Sequence, residues 1–252
     1  MKLFSQVMGD GPALVIMHGV FGMSDNWQSL GRMWSKHYQV HLLDMRNHGR
    51  SPHSDQFSYE IMSDDLLEYM DDHQLLQATI LGHSMGGKVA MLFSVLNPTR
   101  VAKLIVADIA PKAYAPHHHQ ILSALKNLPL AQLKSRSEAL QQFEIKDEGT
   151  KQFLLKSLYW PEKGVLDWRF NLAVISNEIE KVGEALPPQA IFNQATLFIR
   201  GGASNYILDE DLDLIEDHFP QAELDTIPQV GHWLHAENPK EFYAKVNAFL
   251  EH

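Results

Sequence analysis

Short apolar runs alternating with helix-length amphipathic stretches constrain this chain more than any other feature. "ALVIMHG" (13–19), "QVHLLD" (39–44), "ATILGHS" (78–84), "RVAKLIVADIA" (100–110) and "ATLFIRGG" (195–202) are rich in β-branched residues and are apolar without alternation. Such runs suit strands buried on both faces, as in a parallel sheet. Between them the helical period appears at 26–36, 60–73, 85–97, 208–218 and 239–250. In the last of these, Phe242, Val246, Phe249 and Leu250 form a core-facing stripe. The pattern predicts an α/β protein with a doubly wound, mostly parallel sheet covered by helices on both faces. Right-handed crossovers then bring the strand C-termini to one edge, where sites form.

One region breaks the alternation. From Lys112 to Pro188 the sequence offers helical patterns ("HQILSALKNL", "SEALQQF", "TKQFLLKSLYW", "DWRFNLAVISNEIEKV") and no clear strand, and "LPPQ" closes it with a proline pair. The expectation is an all-helical lid over residues 111–189, inserted into a core of residues 1–110 and 190–252. Packing helices remote from the site are the alternative.

Composition removes several function classes. A chain of 252 residues with 45% hydrophobic and 21% charged residues is ordinary for a globular protein able to bury a core. A formal charge of -10 provides no basic field for nucleic acid or an anionic membrane. Cysteine is absent, which excludes disulfides and thiol nucleophiles. Neither a signal-like apolar start nor a run of about 18 apolar residues occurs, so the expectation is a cytoplasmic protein without a membrane span.

"GHSMGG" (82–87) follows a predicted strand and opens a predicted helix. That is the context of a nucleophile elbow, G-x-S-x-G, in which a tight turn lifts the serine clear of the sheet. Gly82 and Gly86 meet its demand for small residues, and Ser84 is the expected nucleophile. Its hydroxyl needs a base. Of fourteen histidines, His232 in "VGHWLHAENP" stands in a loop between the last strand and the last helix, where the chain order Ser…acid…His puts the base. His235 reads as a structural neighbour, and His83 as packing away from its own serine. An oxyanion hole needs two amides. One is expected from Met85, the other from "MHGVFG" (17–22), with Phe21 favoured over Val20. "DMRNHGRSPHS" (44–54) invites a metal reading through Asp44, His48 and His53, but its Gly, Ser and Pro content reads as turn chemistry. His117–His119 lacks spaced partners for a metal.

The motifs taken together resemble the α/β-hydrolase superfamily, and in particular the small bacterial YbfF-type esterases and their mitochondrial relatives. "HGVFGMSDNW", "DMRNHGRSPHS", "GHSMGGKVAM", "VADIAP", "QFLLKSL", "WRFN", "FIRGGASNYI" and "GHWLHAENP" carry the likeness over nearly the whole chain. Residues 126–150 match least.

Many superfamily members hold the triad acid after the strand corresponding to 195–201, where this chain has Ser204 and no carboxylate. The resemblance implies instead an aspartate at the end of the strand following the nucleophile helix, which is Asp108. A doubly wound sheet supports this, because strand 100–108 neighbours strand 78–83 and its tip reaches the edge that carries His232. Asp209 and Asp211 are the other candidates.

The implied activity is hydrolysis of carboxylic esters and acyl-CoA thioesters of short to medium chain, by Ser84, His232 and Asp108, with no cofactor and no metal. The implied partner is a small acyl ester or thioester, and the chain is expected as a monomer or homodimer. Haloperoxidase, carbon–carbon hydrolase and lyase chemistries share the triad, and a ligand-binding receptor on the same fold is the non-catalytic rival.

Overall fold

A computed structural model describes residues 1–116 and 118–251. Seven strands of the described residues form one sheet: β1 (Ser5–Met8), β2 (Ala13–Met17), β3 (Gln39–Leu43), β4 (Ala78–His83), β5 (Val101–Ala107), and, after a hairpin described below, β8 (Thr196–Gly201) and β9 (Ala222–Ile227). Their spatial order is β1-β3-β2-β4-β5-β8-β9. Every pairing is parallel except that of β1 with β3. β1 was not foreseen: "SQVM" has one large aliphatic residue and one face open to water, so it lacks an apolar run.

The central strands are buried on both sides, and alternate residues feed two cores. Val15, Met17, Ile80 and Val106 point to one face, under helices α2 (Tyr59–Asp72) and α3 (Met85–Leu96). Leu14, Ile16, Leu81 and Ile105 point to the other, covered by α1 (Gln28–Trp34) and the C-terminal helix α10 (Pro239–Glu251). In α10, Phe242, Val246 and Leu250 are buried while Phe249 is half-buried at the margin of the stripe.

Between β5 and β8 lie helices α4 (His119–Asn127), α5 (Arg136–Gln142), α6 (Glu148–Leu155) and α7 (Leu172–Glu178). The segment is not all-helical. β6 (Leu158–Glu162) and β7 (Val165–Trp168) form an antiparallel hairpin, which corrects the sequence expectation. "LYWPEKGVLDW" is aromatic and β-branched, and Gly164 adopts φ +86° at the turn, yet Pro161 and the helical spacing on either side mask the alternation. Helices α8 (Leu212–His218) and α9 (Leu234–Glu237) complete the order. Among the described residues no helix is long and apolar enough to cross a membrane.

Candidate active site

Ser84 stands between β4 and α3 with φ 53° and ψ -117°, a left-handed conformation that a serine adopts only when the surrounding structure enforces it. The enforcement is steric. A Cβ on Gly82 would lie 2.1 Å from the Gly86 carbonyl oxygen, and one on Gly86 would lie 2.6 Å from that of Met17. The elbow therefore presses strand, turn and helix together as closely as backbone allows.

His232 follows β9, and Asp108 ends β5. The imidazole Nδ1 lies 2.8 Å from Asp108 Oδ2. Asp108 is fully buried. Its Oδ1 accepts the Gly201 N–H (3.0 Å), and its Oδ2 also accepts the Ser204 hydroxyl (2.5 Å). Burial pushes this carboxyl up to about 7, against the opposing pull of the Ser204 and Gly201 hydrogen bonds. Ser204, in the slot where an acid was looked for, thus serves the acid on the neighbouring strand. Asp209 pairs with Arg200 (2.7 Å) and Asp211 with Lys112 (2.6 Å), each holding a loop.

Around this dyad the histidines sort themselves. His83 turns away from Ser84 and bonds the His232 carbonyl oxygen through Nε2 (2.8 Å), bracing that residue from behind. His235 stacks on Trp27 with ring centres 4.2 Å apart. Tyr206 lies parallel to the His232 ring at 3.7 Å. In sequence, Tyr206 stands only as part of the "FIRGGASNYI" likeness and has no assigned role, since a tyrosine past a turn has no chemistry of its own to announce.

In the loop after β2, Gly22 N–H closes a turn on Gly19 O (3.0 Å), and Phe21 takes φ 64°. The Phe21 amide, favoured above for the oxyanion hole, is donated instead to His48 Nε2 (3.2 Å). Val20 N–H and Met85 N–H, the latter at the start of α3, have no hydrogen-bond partner among the described residues. Gly19 abuts Ser84 so closely that a Cβ there would lie 3.2 Å from the serine's own.

The 44–54 loop is structural. Asp44 accepts the amides of Ser24 and Arg50 (2.6 and 2.8 Å), and His48 is held between Phe21 and the Arg46 carbonyl. No cluster able to hold a metal occurs among the described residues; His117 of the histidine triplet lies outside them.

Ser84 and His232 open into a cavity of about 190 Å³ walled by Val20, Ile121, Phe153 and Trp233. The Phe153 and Trp233 rings, 4.0 Å apart, divide it from an outer cleft of about 640 Å³ that carries Gln152, Lys156 and Glu237.

A family model of the alpha/beta hydrolase fold matches residues 12–239. The chain belongs to the α/β-hydrolase family. Within that family it is 35% identical over 249 residues to the mouse sn-1-specific diacylglycerol lipase ABHD11, covering 95% of this chain and 81% of the lipase. It is 35% identical over 242 residues to esterase YbfF of Escherichia coli strain K12, covering 94% and 92% of the two chains. A solved marine microorganism esterase superposes with TM-score 0.95 at 41% identity, over 98% of this chain and 99% of that one. The α/β-hydrolase described here is an ester hydrolase.

Proposed function

We propose that this hydrolase cleaves short- to medium-chain carboxylic esters, and acyl-CoA thioesters, through an acyl-enzyme on Ser84. The observation that carries the reading is the 2.8 Å contact of His232 Nδ1 with a buried Asp108, over the same cavity into which the Ser84 elbow opens. With Nδ1 committed to Asp108, the other ring nitrogen is the base.

Ser84 Oγ attacks the carbonyl carbon as His232 takes its proton, and the carbonyl oxygen becomes an oxyanion. The Val20 and Met85 amides receive that charge at the positive end of α3. Collapse of the tetrahedral species breaks the bond to the alcohol or thiol, which leaves with the proton held by His232. Water then gives its proton to the same nitrogen, attacks the acyl-serine and releases the carboxylic acid. Asp108 fixes the tautomer and stabilises the imidazolium.

A cavity of about 190 Å³ falls below the roughly 300–1,000 Å³ of pockets for drug-sized ligands. It suits a short acyl chain, with the leaving group directed to the polar outer cleft. Residues 111–189 serve as the lid: Ile121, Phe153 and Leu154 hang from it into the cavity.

The test is kcat/KM on p-nitrophenyl butyrate and on butyryl-CoA, with Ser84→Ala as control. Turnover of both, abolished in the variant and falling steeply for acyl chains beyond medium length, is the expected result. An inert wild type overturns the reading; turnover of the oxyester alone removes the thioester from it.

A further inference from the structure

Lys88 lies one turn into α3, its backbone N–H bonded to the Ser84 carbonyl (3.0 Å). The residue is 1% exposed. The neighbouring cation Lys112 takes Asp211, whereas Lys88 has no carboxylate partner among the described residues. Its Nζ instead donates to the carbonyl oxygens of Lys112 (2.5 Å) and Glu184 (2.8 Å) and stands 5.2 Å from the centre of the Tyr114 ring.

Those carbonyls belong to the two segments that lead into and out of the insertion. The segments pair through Tyr114 N–H to Gly183 O and Leu186 N–H to Pro111 O, both 2.8 Å. A Cβ on Gly183 would lie 2.3 Å from the Tyr114 carbonyl oxygen. The result is a tight two-stranded neck, seated on the nucleophile helix by one ammonium. Burying that charge without a paired carboxylate is costly, and the contacts it makes are what offsets the cost.

The neck continues to the base. The Tyr114 hydroxyl accepts the Ala110 N–H (2.8 Å) and donates to the Tyr206 carbonyl (2.6 Å). The Tyr206 ring is the one stacked on His232.

We propose that Lys88 is a positioning residue for the reaction assigned to Ser84, on which this inference rests: it seats both strands of the neck on α3 and, through Tyr114, sets Tyr206 against His232 and the wall of the acyl cavity. It acts through these neighbours and takes no part in bond making.

Protonation modulates the seat. Burial lowers the Lys88 ammonium to about 7, with Lys112 acting in the same sense and Glu184 opposing. The other ionisable groups around the neck are Asp211, paired to Lys112, Asp108, raised by burial to about 7, and the phenols of Tyr114, Tyr206 and Tyr59, all raised by burial. An amine that is hydrated when the neck opens binds its proton more tightly than in the closed slot. Rising pH therefore favours the closed neck, where the neutral amine still has a donor for each carbonyl.

The test is hydrogen exchange of the Tyr114 and Leu186 amides from pH 6 to 9, corrected for intrinsic rates, beside kinetics of Lys88→Met on p-nitrophenyl butyrate. In the wild type, neck protection rises with pH, by at most about tenfold per unit for one proton. In Lys88→Met the pH dependence disappears, neck protection falls, and KM rises roughly five- to tenfold while kcat changes less, as expected when a binding-competent state loses population. Wild-type neck protection that is flat or falls with pH overturns the proposal, as does a variant with wild-type KM and neck protection. Should Lys88→Met not fold, the wild-type exchange decides. Should the wild type not hydrolyse esters, the reading of Ser84 fails while exchange still decides the seating of the neck.

Discussion

Asp108 receives three donors on two oxygens, from His232, Ser204 and Gly201. Replacing it by Asn preserves shape but offers His232 the wrong tautomer, and kcat/KM on a butyrate ester is expected to fall about 10⁴-fold in a folded protein. Loss of less than tenfold would make Asp108 structural. The carboxyl is raised to about 7, so the active, deprotonated dyad is lost as pH falls through that value. A log kcat/KM profile should therefore slope by about one per pH unit on its acid side. Ser204→Ala removes a donor to the charged form, a bond of roughly 1.5–3 kcal/mol, and should move that limb upward by about one unit; an unmoved limb separates Ser204 from the acid. The residues legible in sequence were those whose side chains carry the proposed chemistry, Ser84, His232 and Asp108. Val20 was not, because an amide donor leaves no mark on residue type. Only the Phe21 to His48 bond, between loops 27 positions apart, distinguishes it.

Among the elements, the β4–α3 elbow tolerates nothing and the β6–β7 hairpin tolerates much. Gly82→Ala drives a methyl into the Gly86 carbonyl at 2.1 Å, and is expected to cost about 3 kcal/mol or more with loss of turnover. Gly164→Ala meets no atom within 4 Å and should cost only the left-handed backbone term, about 1–2 kcal/mol, leaving kcat/KM as it was. Urea denaturation and ester kinetics of the pair check both. The same contrast explains what the sequence revealed. Buried strands and the elbow are dictated by local sterics and apolar runs. The hairpin is decided by tertiary contacts such as that of the Trp168 ring with Phe143, centres 5.9 Å apart, and β1 by the free edge of β3, which no short polar segment announces.

For the molecule as a whole, buried histidines govern acid stability. His18 and His41 are lowered to about 4 and His48 to about 3, each chiefly by burial. His18 and His48 also accept backbone amides at Nε2, from Met45 and Phe21, bonds that a proton would destroy. Between pH 6.5 and about 4 the unfolded chain binds the extra protons, so stability falls as pH falls, by up to about 1.4 kcal/mol per unit for each group. Asp108, raised rather than lowered, has the opposite slope, but the three histidines outnumber it. The urea midpoint should drop steadily from pH 7 to 5, and a constant midpoint would contradict neutral burial.

The insertion splits the proposed catalytic residues along the chain. Ser84 and Asp108 both precede the insertion and His232 follows it, so a break at the Lys163–Gly164 hairpin tip divides the machinery between two polypeptides. One half holds nucleophile and acid and the other the base, while β6 and β7, one on each half, retain complementary edges. Ester turnover by such a split pair is then a direct gauge of reunion, silent in either piece alone.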